Sequence, residues 1–265
     1  MIATTRGFIR LILFFLLSLF TVLLVGAGNI LLGLVIPSWA IRWKNCIIRS
    51  WAWLTARLLN FKITINGTPP NPPYLLVSNH LSYMDVVPLW LAVDGTFIAK
   101  SEIKSWPFFG WGTKILGMIF IDRALKRDVQ RVNNMIKSTI TEDQGIIIFP
   151  EGTSTKGETV LPFHPSLLEY PAQHNVPVSY ATLTYQSFDP NKPASEYICW
   201  WGGMSFLDHF WELLKMPGFK ADITFGSKRI VNADRKQLSD QLHQLVKANF
   251  QPVEQAGSTK PMKSV

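Results

Sequence analysis

Leu75-Leu-Val-Ser-Asn-His-Leu-Ser-Tyr-Met-Asp85 sets an imidazole and a carboxylate five positions apart, directly after a buried-looking apolar run. Five residues along an α-helix turn through about 140°, so His80 and Asp85 would not share a helical face. With His80 in a strand-to-helix turn and Asp85 in the first helical turn, the carboxylate can reach back to one ring nitrogen. It would fix the tautomer and make the other nitrogen a general base for a hydroxyl proton. An aspartate of a helical first turn beside an unrelated, satisfied histidine has the same spacing, so the pair alone leaves both readings open.

Two further clusters have the same layout. Gly117-Met-Ile-Phe-Ile-Asp-Arg123 is a strand-like run ending in an acid and a guanidinium. Arg123 could hold a phosphate through its planar fork, or pair with Asp122 on the surface. Gly145-Ile-Ile-Ile-Phe-Pro-Glu-Gly-Thr-Ser154 delivers Glu151, Gly152 and Thr153 into a loop. Glycine lets backbone approach a ligand, and Glu151 can accept hydrogen bonds from a polar headgroup or order its neighbours; a plain strand-ending turn has the same composition. The stretch Gly152 to Gly157 lacks the Lys-Ser/Thr end of a phosphate loop, and Ser154 lacks the second glycine of a nucleophile elbow.

These clusters need strands to deliver them. Short apolar runs at 74–77, 96–99, 118–121, 145–149, 176–184, 197–201 and 221–225 read as strands. Helical patterns over 128–141, 166–173, 205–214 and 235–249 lie between several of them. Such alternation predicts an α/β domain, a mixed sheet covered by helices, over residues 61–250. Residues 251–265 read as a flexible tail.

An N-terminal membrane-binding helical segment is expected over residues 1–60. No charged residue occurs from Leu11 to Ile36, longer than the roughly 20 apolar residues that cross a bilayer. The run also exceeds a signal-peptide core and ends without a small-x-small cleavage site. Lys and Arg flank both ends, which leaves two arrangements open: a single span, or a hairpin broken near Gly26-Ala-Gly-Asn29, Gly33 or Pro37. Trp39, Trp43, Trp51 and Trp53, interleaved with Arg42, Arg49 and Arg57, suit a headgroup-level helix.

Charge supports that division. The 265 residues carry a formal net charge of +8, yet residues 1–62 hold seven basic side chains and no acidic one, leaving 19 basic against 18 acidic beyond them. Basicity confined to the most apolar segment suits an anionic membrane surface and argues against a nucleic-acid partner. Cys46 and Cys199 form no Cys-x-x-Cys pair, so neither a disulfide framework nor a zinc site is supported.

Taken in order, the clusters resemble the glycerolipid acyltransferase family typified by bacterial 1-acylglycerol-3-phosphate acyltransferase. Asn79-His80 with Asp85 matches its first block, Phe120 to Arg123 its second, Phe149 to Thr153 its third and Val176-Pro-Val178 its fourth. The resemblance implies that His80, paired with Asp85, deprotonates a lysolipid hydroxyl. The hydroxyl then attacks the thioester of acyl-CoA or acyl carrier protein, with no metal, cofactor or covalent enzyme intermediate. It implies substrate-side roles for Asn79, Lys100, Arg123, Glu151, Gly152 and Thr153. It also implies a helical pair seated on one membrane leaflet, with the site facing the cytoplasm, the bacterial inner membrane being the expected location.

Ser154 departs from the pattern, because members acting on lysophosphatidic acid commonly carry arginine there. Lys156 could replace that contact, or the acceptor could be another lysolipid such as a lyso-ornithine lipid. Readings of another class are a non-catalytic lipid-binding protein and a lipid hydrolase. His164, His174, His209 and His243 are expected to be structural or exposed.

Overall fold

A computed structural model describes residues 1–105, 109–122 and 126–254. Two helices, α1 (Ile2–Gly33) and α2 (Pro37–Leu59), precede strand β1 (Phe61–Asn66). There follow β2 (Leu75–Ser78), α3 (Val86–Ala92), β3 (Gly95–Lys100), α4 (Phe109–Ile115), β4 (Ile119–Ile121), α5 (Lys126–Thr139) and β5 (Gly145–Ile148). The chain continues through α6 (Glu169–Gln173), β6 (Val178–Ser187), α7 (Ala194–Tyr197), α8 (Phe206–Lys215), β7 (Phe219–Phe225) and α9 (Arg235–Asn249).

The strands form one seven-stranded sheet in the order β1-β7-β6-β2-β5-β3-β4, and the β6–β7 pairing is antiparallel while the others are parallel. All four residues of β2 and of β5 are buried, as expected for central strands covered on both faces. Alternate side chains serve two cores. Leu76, Ile147 and Leu183 face the side covered by α1, α2, α3 and α8. Leu75, Val77, Ile146 and Ile148 face α5, α6 and α9. Parallel β2, β3, β4 and β5 therefore end along one edge, where an open α/β sheet holds ligands.

α1 and α2 form an antiparallel hairpin. Of the break points left open, α1 runs unbroken through Gly26-Ala-Gly-Asn29, and the chain turns at Leu34 to Ile36, between Gly33 at the end of α1 and Pro37 at the first position of α2. Gly28 works instead as a packing notch, since a Cβ there would collide with the Trp43 ring. Trp43 donates to the Leu24 carbonyl at 3.0 Å and Trp51 to the Ser18 hydroxyl at 3.1 Å, which sets the register.

The basic residues of this hairpin turn inward more than their charge layout suggests. Arg6 and Arg10 donate to the final carbonyls of α8, with Arg10 reaching Leu214 at 3.1 Å and Met216 at 2.6 Å. Arg42 pairs with Asp143 at 2.7 Å, Arg49 with Asp94 at 2.8 Å, and Lys44 with Gln144. The acid-free segment thus carries cations that dock it onto the sheet domain. Its outer surface is apolar: Ile12, Leu16, Phe20 and Leu23 are each more than half exposed.

Three further expectations change. Residues 197–201 are not a strand; α7 ends at Tyr197, and a loop follows in which the Trp200 amide bonds the Leu81 carbonyl. The pattern over 166–173 divides into a 3-10 turn and the short α6. The tail is anchored at its start, because Val253 is buried and its amide bonds the Gly157 carbonyl at 2.8 Å; residues 255–265 lie outside the described residues.

Candidate active site

β2 ends at Ser78, and the next seven residues build the centre of the site. Ser82 caps a 3-10 turn over Tyr83–Asp85 and Asp85 completes the reciprocal capping box, which swings the carboxylate back toward His80. Asp85 Oδ2 stands 2.7 Å from His80 Nδ1 and also accepts from the amides of Leu81 at 2.8 Å and Ser82 at 3.2 Å. A carboxylate only accepts, so Nδ1 carries the hydrogen and the other ring nitrogen is a bare acceptor. The imidazole stacks on Phe149, with centroids 4.1 Å apart and planes 11° apart.

Glu151 holds the main chain beneath that ring. Its carboxylate accepts the His80 amide at 2.7 Å and the Leu161 amide at 2.8 Å, while the Thr155 amide donates to the His80 carbonyl at 3.1 Å. Burial pushes the Glu151 carboxyl up to about 8, against the lowering effect of its two backbone donors, and the neighbouring Asp85 adds to the rise. The loop from β5 is therefore tied to the loop from β2. Gly152 allows the turn through its positive φ of 76°.

Asn79 is placed differently from the substrate-contacting role implied for it. Its amide oxygen accepts from the Leu183 amide at 2.7 Å, its nitrogen donates to the Leu183 carbonyl at 2.9 Å, and the residue is buried. It clips the strand end carrying His80 to β6.

His80 opens onto a cavity of about 760 Å³ whose walls are mainly aromatic and aliphatic, including Phe14, Trp51, Trp90, Phe97 and Met118. That volume lies within the range of small-molecule sites. Lys100, Gly152, Thr153 and Ser154 also line it, with Lys100 and Thr153 exposed. Arg123 lies outside the described residues. Lys156, considered as a substitute for the missing arginine, is 2.5 Å from Glu158 and lies over the Trp201 ring at 5.5 Å.

Several lining elements had no signal in the sequence patterns. α1 supplies Phe14, Leu19 and Val22, so the hairpin is one wall of the cavity. The Trp200-Trp-Gly202 loop supplies another part. Tyr83 lines the cavity and bonds His209 Nδ1 at 2.9 Å, which gives that histidine a partner at the site's edge. The Tyr185 hydroxyl, from β6, reaches Asp85 Oδ1 at 2.7 Å.

Comparison with known proteins finds these features in acyltransferases. A family model described as Acyltransferase matches residues 61–181, which contain His80, Asp85, Lys100 and Glu151. That match covers a little under half of the 265 residues. A lyso-ornithine lipid O-acyltransferase of Pseudomonas aeruginosa is 31% identical over 62% of this chain and 63% of its own. This chain thus spans somewhat less than two thirds of that relative's length. A 1-acyl-sn-glycerol-3-phosphate acyltransferase of Neisseria gonorrhoeae is 28% identical over 72% of this chain and 75% of its own. The crystal structure of the 1-acyl-sn-glycerophosphate (LPA) acyltransferase PlsC from Thermotoga maritima shares the fold, with a TM-score of 0.67 over 93% of this chain and 97% of that one, at 18% identity.

Proposed function

We propose that this protein transfers a fatty acyl group from an acyl thioester, acyl-CoA or acyl carrier protein, to the free hydroxyl of a lysolipid. The observation that carries this reading is an apolar cavity of about 760 Å³ with His80 on its wall, one ring nitrogen held by the fully buried Asp85. The bare nitrogen removes the hydroxyl proton as the oxygen attacks the thioester carbonyl. The C–O bond forms, the tetrahedral centre collapses, and the thiolate leaves with the proton returned from the imidazolium. Asp85 favours the imidazolium formed in between. Lys100, at the end of β3, is positioned to meet negative charge on either substrate.

1-Acylglycerol-3-phosphate is the first acceptor to test, with phosphatidic acid as product. A second acceptor, a lyso-ornithine lipid, is favoured by Ser154 at the position of a phosphate-binding arginine and by the pairing of Lys156 with Glu158. The Pseudomonas relative carries that name.

The exposed apolar side of α1 is the membrane-facing surface in this reading. α1 is long and apolar enough to cross a bilayer. Its opposite side, however, lines the cavity and its first turns bond α8, which supports a hairpin lying in one leaflet rather than a span.

The decisive experiment incubates purified protein with each lysolipid and each acyl donor, beside His80→Ala. Diacyl product from the wild type and its loss by a factor of about 100 or more in His80→Ala is expected for loss of a general base. Free fatty acid without diacyl product would mark a hydrolase. Lysolipid binding without turnover would mark a carrier.

A further inference from the structure

Asp85 is buried and takes donors unequally. Oδ2 accepts from His80, Leu81 and Ser82, while the hydrogen bond to Oδ1 comes from the hydroxyl of Tyr185 at 2.7 Å. Tyr185 lies near the end of β6, is buried, and packs its ring beside Phe61 and Phe219. Burial and the neighbouring carboxylate push its phenol well above the ordinary value, so it keeps its hydrogen.

We infer that Tyr185 is a positioning residue that sets the basicity of His80 through Asp85, an inference resting on the general-base reading of His80. A hydrogen bond to one oxygen draws charge from the carboxylate, which weakens the attraction between Asp85 and a proton on the imidazole. Without that bond, Asp85 faces His80 with its charge less dispersed, and the imidazolium gains. The base then becomes neutral, and so competent, at higher pH. Other groups around the pair are Glu151 after β5, Cys199 after α7, Tyr83 in the 3-10 turn and, behind it, His209 of α8. They remain in place when Tyr185 becomes phenylalanine, so a shift can be assigned to the lost hydroxyl.

The test follows the His80 imidazole by NMR titration and the acid limb of kcat/KM in the full-length protein. Tyr185→Phe should move both midpoints to higher pH, by about 0.5 to 1 unit given the effect of one hydrogen bond on a neighbouring ionisation. In Asp85→Asn, adding Tyr185→Phe should produce no further shift. A 3-fluorotyrosine at 185, whose more acidic phenol donates more strongly, should move the midpoint the other way and serves if Tyr185→Phe does not fold. An unchanged midpoint, a shift of opposite sign, or an equal shift in the Asp85→Asn background would overturn the inference. His80→Ala with undiminished transfer would instead remove the general-base reading, because the NMR midpoint does not depend on turnover.

Discussion

The His80 imidazole lies flat on the Phe149 ring, 4.1 Å between centroids, so the base is fixed in two directions at once: in its plane by Asp85 and perpendicular to it by an aromatic face. Phe149 stacks in turn on Phe97 at 5.7 Å. Phe149→Leu keeps an apolar filler but removes the flat support. Ring pairs contribute about 0.5–1.5 kcal/mol, so kcat should fall by up to about tenfold with KM little changed. Steady-state kinetics on the preferred acceptor checks this, and an unchanged kcat would show that Asp85 alone orients the ring.

Arg10 joins the N-terminal hairpin to the sheet domain by capping the C-terminal carbonyls of α8. Arg10→Met keeps the apolar stem and removes the charge. Hydrogen bonds from a charged donor contribute about 1.5–3 kcal/mol, and a loss of that size is expected in denaturant unfolding. Since α1 is a cavity wall, activity should fall before global unfolding begins.

Phe20 and Leu23 point away from the domain and do not line the cavity. Phe20→Glu or Leu23→Glu should weaken sedimentation with anionic vesicles by about tenfold or more each, from the roughly 1.5–3 kcal/mol of burying such a side chain. Circular dichroism should be unchanged. Retained vesicle binding in the double variant would sink the membrane-facing assignment. These point changes are a cleaner test than deleting residues 1–60, which would also remove Phe14, Leu19 and Trp51 from the cavity.

Glu151 makes stability depend on pH with a definite sign. Its carboxyl is raised from 4.5 to about 8 by burial, so the folded state favours the protonated form. The contribution is fully present below about pH 4.5 and is lost as pH rises toward 8. Wild type should therefore lose stability relative to Glu151→Gln across that window, measured by thermal unfolding. The opposite slope would mean that the His80 and Leu161 amides hold Glu151 as an anion.

What the sequence disclosed was local. The approach of Asp85 to His80 depends on a cap and turn contained within seven residues, and the apolar runs of β2, β3 and β5 announce their own ends. The site's distant partners had no such signal. Tyr185 lies 100 positions from Asp85 inside a strand where an aromatic residue is an ordinary core choice. Asn79 lies within a recognisable block, yet its engagement with Leu183 depends on β6 being the neighbour of β2. The hairpin cations could be counted, but whether they met lipid or Asp94 and Asp143 depended on tertiary docking.

The two-sided placement of α1 has an energetic consequence for the proposed reaction. One side of the helix lines the cavity and the other is an exposed apolar surface, so in the proposed membrane-facing arrangement an acyl tail entering from the bilayer exchanges one oily medium for another. Little hydrophobic free energy is released in that exchange, unlike entry from water. Tail length should then govern affinity for micelle-free substrate in solution far more than for substrate already dissolved in a vesicle. Within the membrane, discrimination falls to the polar end of the acceptor and to the rim around His80, Lys100 and Ser154.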